Sequence, residues 1–318
     1  MTEKRTGLQR VAVVQAGSSM FDTPSTLERM RAHTAELQQQ SVQLAVFPEA
    51  YIGGYPKGLD FGARVGSRTP EGRDDFRRYW QAAIDVPGPE TGIIAGFARQ
   101  SKAYLVVGVI ERDGGTLYCT ALFFGPDGAV LGKHRKLMPT ASERLIWGMG
   151  DGSTLPVLDT PLGRVGAAIC WENYMPALRM AMYSKGINVW CAPTVDEREI
   201  WQASMRHIAY EGRCFVLSAC QYLRRADCPP DYACIQGNDP QTELIRGGSV
   251  IISPLGEVLA GPVYGREAVL TAEIDILDTV RGKFDLDITG HYARPDVFTL
   301  SVNENPAAAV ALKPGQTK

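Results

Sequence analysis

Short apolar runs alternate with turn-forming units along most of this chain, and that rhythm limits it to a layered fold with sheets at its centre. Phe124-Gly125-Pro126-Asp127-Gly128 separates two such runs, and so do Pro161-Leu162-Gly163 and Pro254-Leu255-Gly256, each with Pro and then Gly at turn positions. Asp113-Gly114-Gly115 turns a strand expected over residues 104–110 back into one over 117–124. The intervals between these units are unequal, so they read as hairpins and not as a solenoid repeat.

Strand–helix units lie between the hairpins. Residues 11–16 read as a buried strand. Thr23-Pro24 supplies an N-cap and a first-turn proline for a helix carrying Leu27, Met30, Thr34 and Leu37. Residues 44–47 form the next strand, and 91–102 a helix with Ile94, Phe97 and Ala98 on one face. A strand over 164–169 runs into Cys170, and Asn173 is placed to cap a helix that Gly186 closes. Strand 187–192, helix 197–211 and strand 214–220 follow. The polar stretch 223–243 is a loop long enough to be functional or mobile. Strands at 249–252 and 268–274 complete the pattern. The expectation is α+β layers in a single domain over residues 1–303, with 304–318 a disordered tail.

The bulk properties exclude several classes. With 318 residues, 45% hydrophobic and 21% charged, a chain this long buries about three quarters of its unfolded surface without help from a disulfide or metal. A formal net charge of -2 gives no electrostatic reason to expect nucleic acid or an anionic membrane as partner. No run of apolar residues is long enough for a transmembrane helix, and the polar N-terminus has no secretory h-region. Seven cysteines, an odd number, argue against a disulfide framework and for a reducing cytoplasm. Cys228 and Cys234 lack a second Cys or His pair, so no zinc site is expected, and no phosphate-binding Gly motif points to a nucleotide. The expectation is therefore no cofactor.

Cys170 ends an apolar strand just before an expected helix, where backbone N–H groups would favour a thiolate; a buried core cysteine is the commoner fate of any single Cys. None of the four histidines, His33, His134, His207 and His291, is singled out as its partner, although a Cys–His pair stays open. A carboxylate base beside a lysine activates a thiol equally well. Glu49, after Phe47-Pro48 at the end of a strand, fits the base, against the bland reading of a strand-end Glu facing water. Lys136 fits the electrostatic partner, against a solvated basic edge, and Glu143 is placed to neutralise it or to orient substrate.

Taken together, three segments resemble the signatures of the nitrilase family, in family order. They are Phe47-Pro48-Glu49-Ala50-Tyr51-Ile52-Gly53-Gly54-Tyr55-Pro56, then Lys133-His134-Arg135-Lys136-Leu137-Met138-Pro139-Thr140, then Cys170-Trp171-Glu172-Asn173-Tyr174-Met175-Pro176. The Cys-Trp-Glu-Asn form and the stretch from Glu143 to Gly152 are similar to true nitrilases more than to the amidase and carbamoylase branches. Ala192-Pro193-Thr194 and His291-Tyr292-Ala293-Arg294-Pro295-Asp296 extend the likeness, which runs from about Val11 to Asn303.

The resemblance implies a four-layer α-β-β-α sandwich and a Glu49–Lys136–Cys170 triad acting on a small-molecule nitrile through a covalent thioimidate and thioester. It also implies self-association as a dimer or a longer, spiral homo-oligomer. Tyr55, Thr140, Trp147, Trp171 and Thr194, beside the motifs, are candidates to line the substrate pocket, with core packing the competing reading for each. Trp80, Trp190 and Trp201 are assigned to packing or subunit contacts. The competing functions are a cyanide-processing enzyme, an amidase, a silent scaffold on the same fold and a Cys–His hydrolase.

Overall fold

The structure, a computed structural model, describes residues 7–310 except 233 and 309. Strand β1 (Gln9–Gln15) shows the plan: Val11 and Val13 face one way, Ala12 and Val14 the other, and all four are fully buried. With a period of two, that pattern requires apolar cover on both faces of the sheet. Helix α1 (Thr23–Gln39), β2 (Leu44–Val46), α2 (Pro70–Ala82), α3 (Pro89–Ser101), β3 (Tyr104–Asp113), β4 (Thr116–Phe124) and β5 (Val130–Arg135) come next. The second half contributes β6 (Val157–Thr160), β7 (Gly163–Ala167), α4 (Pro176–Ser184), β8 (Val189–Thr194), α5 (Glu199–Gly212), β9 (Phe215–Cys220) and β10 (Tyr222–Arg224). It ends with β11 (Glu243–Ile252), β12 (Val258–Tyr264), β13 (Ala268–Ile274) and the short α6 (Asp278–Gly282).

These strands form two sheets. One has the order β13-β1-β2-β3-β4-β5, and the other β10-β11-β9-β8-β7-β6 with β12 paired to β11. Val11, Val46, Val106 and Ile110 of the first sheet meet Val165, Val189, Phe215 and Leu217 of the second in a shared core. Leu27, Met30, Ile94 and Phe97 of α1 and α3 cover the outer face of the first. Leu178, Met182, Trp201 and Met205 of α4 and α5 cover the outer face of the second. The layers are therefore α-β-β-α in a single α+β domain, as expected. None of the helices among the described residues is long and apolar enough to cross a membrane.

Strand direction places the chemistry. β1, β2 and β3 are parallel, while β4 is antiparallel to both β3 and β5, so β5 runs with β2. In the other sheet β7, β8 and β9 are parallel. Carboxyl ends of strands gather site residues because the loops there are free to vary over a fixed scaffold.

Local details differ from the sequence reading in identifiable ways. Asp22, not Thr23, caps α1: its carboxylate accepts from Ser25 N at 3.0 Å, and Thr23 already lies in the helix. Asn173 caps nothing. Residues Cys170–Tyr174 form a 3-10 turn, and α4 starts at Pro176 with Met175 as its N-cap. The 223–243 stretch, expected as a loop, opens with β10 and a further 3-10 turn. Arg225 donates there to the carbonyls of Cys228, Pro229 and Pro230, and Tyr232 OH donates to Lys57 O at 2.7 Å. Within the expected tail, Ala307 N donates to Asp151 Oδ2 and Glu304 pairs with Lys185; residues 309 and 311–318 lie outside the described residues.

Candidate active site

Glu49 follows β2, Lys136 follows β5, Cys170 follows β7, and Thr194 ends β8, so two strand ends from each sheet converge on one point. Close backbone approach makes this possible. Gly108 of β3 lies under the turn that carries Glu49, where a Cβ would stand 2.1 Å from Pro48 O and 2.8 Å from Glu49 Cα. The turn is fastened from the second sheet by Gln221 Nε2, which donates to Glu49 O at 2.8 Å.

Lys136 is the hub. Its Nζ donates to Glu49 Oε1 and to Glu143 Oε2, both at 2.7 Å, and its side chain is fully buried. Glu143 is held in turn by Thr140 N at 2.6 Å and Tyr55 OH at 2.9 Å. Cys119 Sγ donates to Glu49 Oε1 at 3.6 Å, whereas Glu49 Oε2 is buried with no partner of normal geometry. The Cys170 thiol stands near enough to that carboxyl to lower its proton affinity by hydrogen bonding. Thr194 Oγ1 donates to Cys170 Sγ at 3.2 Å.

Charge follows from burial. Desolvation pushes the Glu49 carboxyl up, Lys136 pulls it down and Glu143 pushes it up again, leaving it above the ordinary carboxylate range. Desolvation draws the Lys136 ammonium down, but the Glu49 and Glu143 carboxylates beside it more than offset this and raise its proton affinity well above the ordinary lysine value. Burial, Glu49 and Glu143 raise the Cys170 thiol well above its ordinary value against the pull of Lys136 and Thr194. This corrects the expectation of a thiolate favoured by a helix terminus. A 3-10 turn of five residues has little dipole, and two carboxylates nearby outweigh it. Both shifts favour the neutral form, a thiol at Cys170 and a carboxyl of raised proton affinity at Glu49, and proton transfer from one to the other would move charge without changing the total.

Cys170 has φ 51°, an uncommon conformation for a residue with a Cβ. Asn173 Nδ2 holds it there by donating to Cys170 O at 2.7 Å and Ala168 O at 2.9 Å, while Trp190 Nε1 donates to Asn173 Oδ1 at 2.7 Å. Glu172 fastens the same turn by accepting from Ile169 N at 2.8 Å. None of the four histidines faces the thiol. His134 is fully buried against Glu172 and the Thr154 carbonyl, His207 is exposed beside Glu211, His291 packs on Tyr292, and His33 lies on α1.

The thiol opens into a cavity of about 210 Å³ whose walls include Tyr55, Thr140, Glu143 and Trp171. Trp147 and Thr194 stand behind those walls: Trp147 is 3% exposed, donates to Tyr79 OH and packs edge-on against Tyr55, and Thr194 is fully buried. Trp190 and Trp201 are core residues, and Trp80 donates to Gly114 O. The sequence reading missed Lys57, Val195, Asp196, Glu197 and Arg198 at the rim. Their signal was position, since 195–198 directly follow β8. Arg198 pairs with Asp196 at 2.6 and 2.8 Å and lies 4.8 Å from the Trp171 ring centroid, and Trp171 Nε1 donates to Asp196 Oδ2, so this wall is braced. A larger cleft of about 810 Å³ around Arg225 and Tyr232 contains none of the candidate catalytic groups.

Known proteins resemble this chain in sequence and in fold. The carbon-nitrogen hydrolase family matches residues 10–282. A bifunctional nitrilase/nitrile hydratase of Lupinus angustifolius is 56% identical, over 97% of this chain and 90% of its own length. A nitrilase of Bradyrhizobium diazoefficiens is 56% identical over 98% of this chain and 97% of its own. The C. elegans NitFhit protein shares the fold, with a TM-score of 0.74 at 20% identity, over 98% of this chain and 71% of that one. The chain belongs to the carbon-nitrogen hydrolase family, in its nitrilase branch.

Proposed function

We propose that this protein hydrolyses organic nitriles to a carboxylic acid and ammonia, with Cys170 as nucleophile, Glu49 as general base and Lys136 as electrostatic partner. One observation carries the reading: a buried ammonium 2.7 Å from each of two carboxylates, one of which, Glu49, has an oxygen without a partner of normal geometry and feels the buried Cys170 thiol. The names of relatives at 56% identity favour nitriles over amides as the substrate class.

Glu49 takes the Cys170 proton as sulfur attacks the nitrile carbon, and charge develops on nitrogen. The Lys136 ammonium and the Trp171 N–H, at the open end of the 3-10 turn, stabilise that charge. The nitrogen gains a proton, giving a thioimidate. Water activated by Glu49 adds to it, the C–N bond breaks, and ammonia leaves behind a thioester. A second water releases the acid and returns the thiol, so R–C≡N and two waters become acid and ammonia. Breaking the C–S bond of the tetrahedral species instead would release the amide. Glu143, steadied by Tyr55 and Thr140, keeps Lys136 aimed. The cavity is smaller than the roughly 300–1,000 Å³ typical of drug-sized ligands, which suits a small nitrile against Tyr55 and Trp171.

The same reading includes self-association with a second copy of the chain. Phe284, Tyr292, Val297 and Phe298 are exposed by 56–90%, which leaves an apolar surface towards the C-terminal end. Sedimentation checks it, and a monomer at working concentration would remove it. A reducing cytoplasmic location is supported by seven unpaired cysteines, six of them buried.

The test offers purified protein phenylacetonitrile, benzonitrile, a short aliphatic dinitrile and cyanide, with ammonia, acid and amide quantified and Cys170→Ala as control. Acid and ammonia from an organic nitrile, lost in the control, support the reading. Turnover of cyanide alone overturns it, and so does failure on every nitrile by folded protein that hydrolyses the corresponding amides when these are offered next.

A further inference from the structure

Two buried ionisable side chains take no part in the steps above, yet they join the segments that carry the nucleophile and the lysine. Glu172, 1% exposed, accepts from Ile169 N at 2.8 Å and from His134 Nε2 at 2.9 Å through Oε2, and from Leu137 N through Oε1. One carboxylate thus binds the amide just before Cys170 and the amide just after Lys136. His134 lies two residues before Lys136, and its Nδ1 meets the Thr154 carbonyl. A carbonyl only accepts, so Nδ1 carries a proton, and Nε2 needs a second to donate to Glu172. Both Glu172 oxygens accept from backbone N–H groups, and Oε2 also from Nε2, so the hydrogen-bond pattern is that of an imidazolium facing a carboxylate.

The nearby charges are otherwise engaged. Lys133 and Arg135 pair with Glu111, Arg135 also with Asp113, and Lys136 faces Glu49 and Glu143. Asp151 is bound by Ser153 and Ala307, and Lys185 by Leu155 O and Glu304. From β4 the neutral Cys119 thiol feels the Glu172 charge. His134 is therefore the cation that balances Glu172.

We propose that Glu172 and His134 are a positioning pair, in which the carboxylate, paired with the imidazolium, sets the placement of the Cys170 thiol relative to the Lys136 ammonium. Its kinetic consequences rest on the nitrile reading; its geometric consequence for the thiol does not. The pair makes that placement depend on pH. Burial alone would drive the proton off His134, but Glu172 more than offsets this and raises the imidazole above its ordinary range. As pH climbs through that raised value, Glu172 loses its counter-charge and the clamp loosens, giving kcat an alkaline limb.

The test uses the full-length chain and its Glu172→Gln and His134→Gln variants, with folding checked by circular dichroism and melting temperature. Nitrile kinetics are measured per active site against pH. Iodoacetamide alkylation of Cys170, read on its own peptide by mass spectrometry, reports the thiol without turnover. Misplacement of about 1 Å costs on the order of 10²-fold, so Glu172→Gln should lower kcat by about 10- to 100-fold. KM should stay within about threefold, as expected when ground-state binding is unaffected. His134→Gln should lower kcat less and shift or remove the alkaline limb. A merely structural role would reduce stability and the fraction of active sites while leaving kcat per site and the pH profile unchanged, and that result overturns the proposal. Should Glu172→Gln fail to fold, His134→Gln decides by the same criteria. Should the wild type turn over no nitrile, the functional reading falls, and Cys170 alkylation still decides: a changed rate in either variant supports the clamp, an unchanged rate in both overturns it.

Discussion

The Thr194 hydroxyl donates a hydrogen bond to the Cys170 sulfur at 3.2 Å, and it works against two carboxylates that raise the same thiol. A hydrogen bond to a charged group contributes about 1.5–3 kcal/mol, so Thr194→Val should slow acylation by about tenfold or more. Single-turnover kinetics on a nitrile, with Cys170 alkylation rates alongside, checks this. An unchanged rate in both would show that the hydroxyl serves packing alone.

In the proposed mechanism Glu49 must be ionised to take the thiol proton, and burial together with Glu143 holds its carboxyl above the ordinary range despite Lys136. Activity should therefore fall, as pH drops, at a higher pH than an exposed carboxylate would set. General-base catalysis supplies roughly 10²–10⁴-fold, so Glu49→Gln should lower kcat by that order and abolish the acidic limb. The pH dependence of kcat for both proteins is the measurement.

Glu143 raises the Glu49 carboxyl through its charge. Removing its charge relieves a repulsion that raises Glu49 and leaves Lys136 opposed by one carboxylate. Glu143→Gln should move the acidic limb to lower pH while kcat falls, since Glu49 becomes a weaker base and Lys136 loses one anchor. Tyr55→Phe, which removes a donor to Glu143 but keeps its charge, should leave the acidic limb raised and lower kcat only modestly, because Glu143 holds Lys136 less firmly.

The Cys170 turn should be sensitive to a core residue with no substrate contact. Trp190→Phe leaves Asn173 Oδ1 without the indole donor in a fully buried site. An unsatisfied buried acceptor costs about 1–3 kcal/mol, to be read from the denaturant midpoint. A loss confined to stability, with normal kcat, would show that the two carbonyls bound by Asn173 suffice to hold the turn.

His134 also ties folding to pH. Its proton affinity is higher folded than unfolded, so the stability it adds is complete below the ordinary imidazole range and disappears as pH rises through the raised value. Urea midpoints across that range should decline for the wild type and decline less for His134→Gln.

Much of this was legible in the sequence where periodicity is local. Val11 to Val14 and Ile94 to Ala98 declare their burial within a few residues, and strand ends placed Glu49, Lys136, Cys170 and Glu143 within reach of one another. Helix α2 was not foreseen, because between Pro70 and Ala82 only Gly72, Tyr79 and Ala82 are buried. β12 was missed for a similar reason, its residues being mostly exposed. The state of the Cys170 thiol was misjudged because the carboxylates that raise it come from residues 27 and 121 positions earlier in the chain. The Glu172 clamp spans 35 and 38 residues to Leu137 and His134, a separation over which spacing carries no signal.

Gly108 bears on how far such a protein can be altered. Glu49, the proposed base, rests on a backbone crossing where no side chain fits, whereas Lys57 and Arg198 reach the cavity mouth from two separate loops. Mutational libraries confined to those loops can explore new substrates, while any library that includes position 108 will fill with inactive clones whatever substrate is offered.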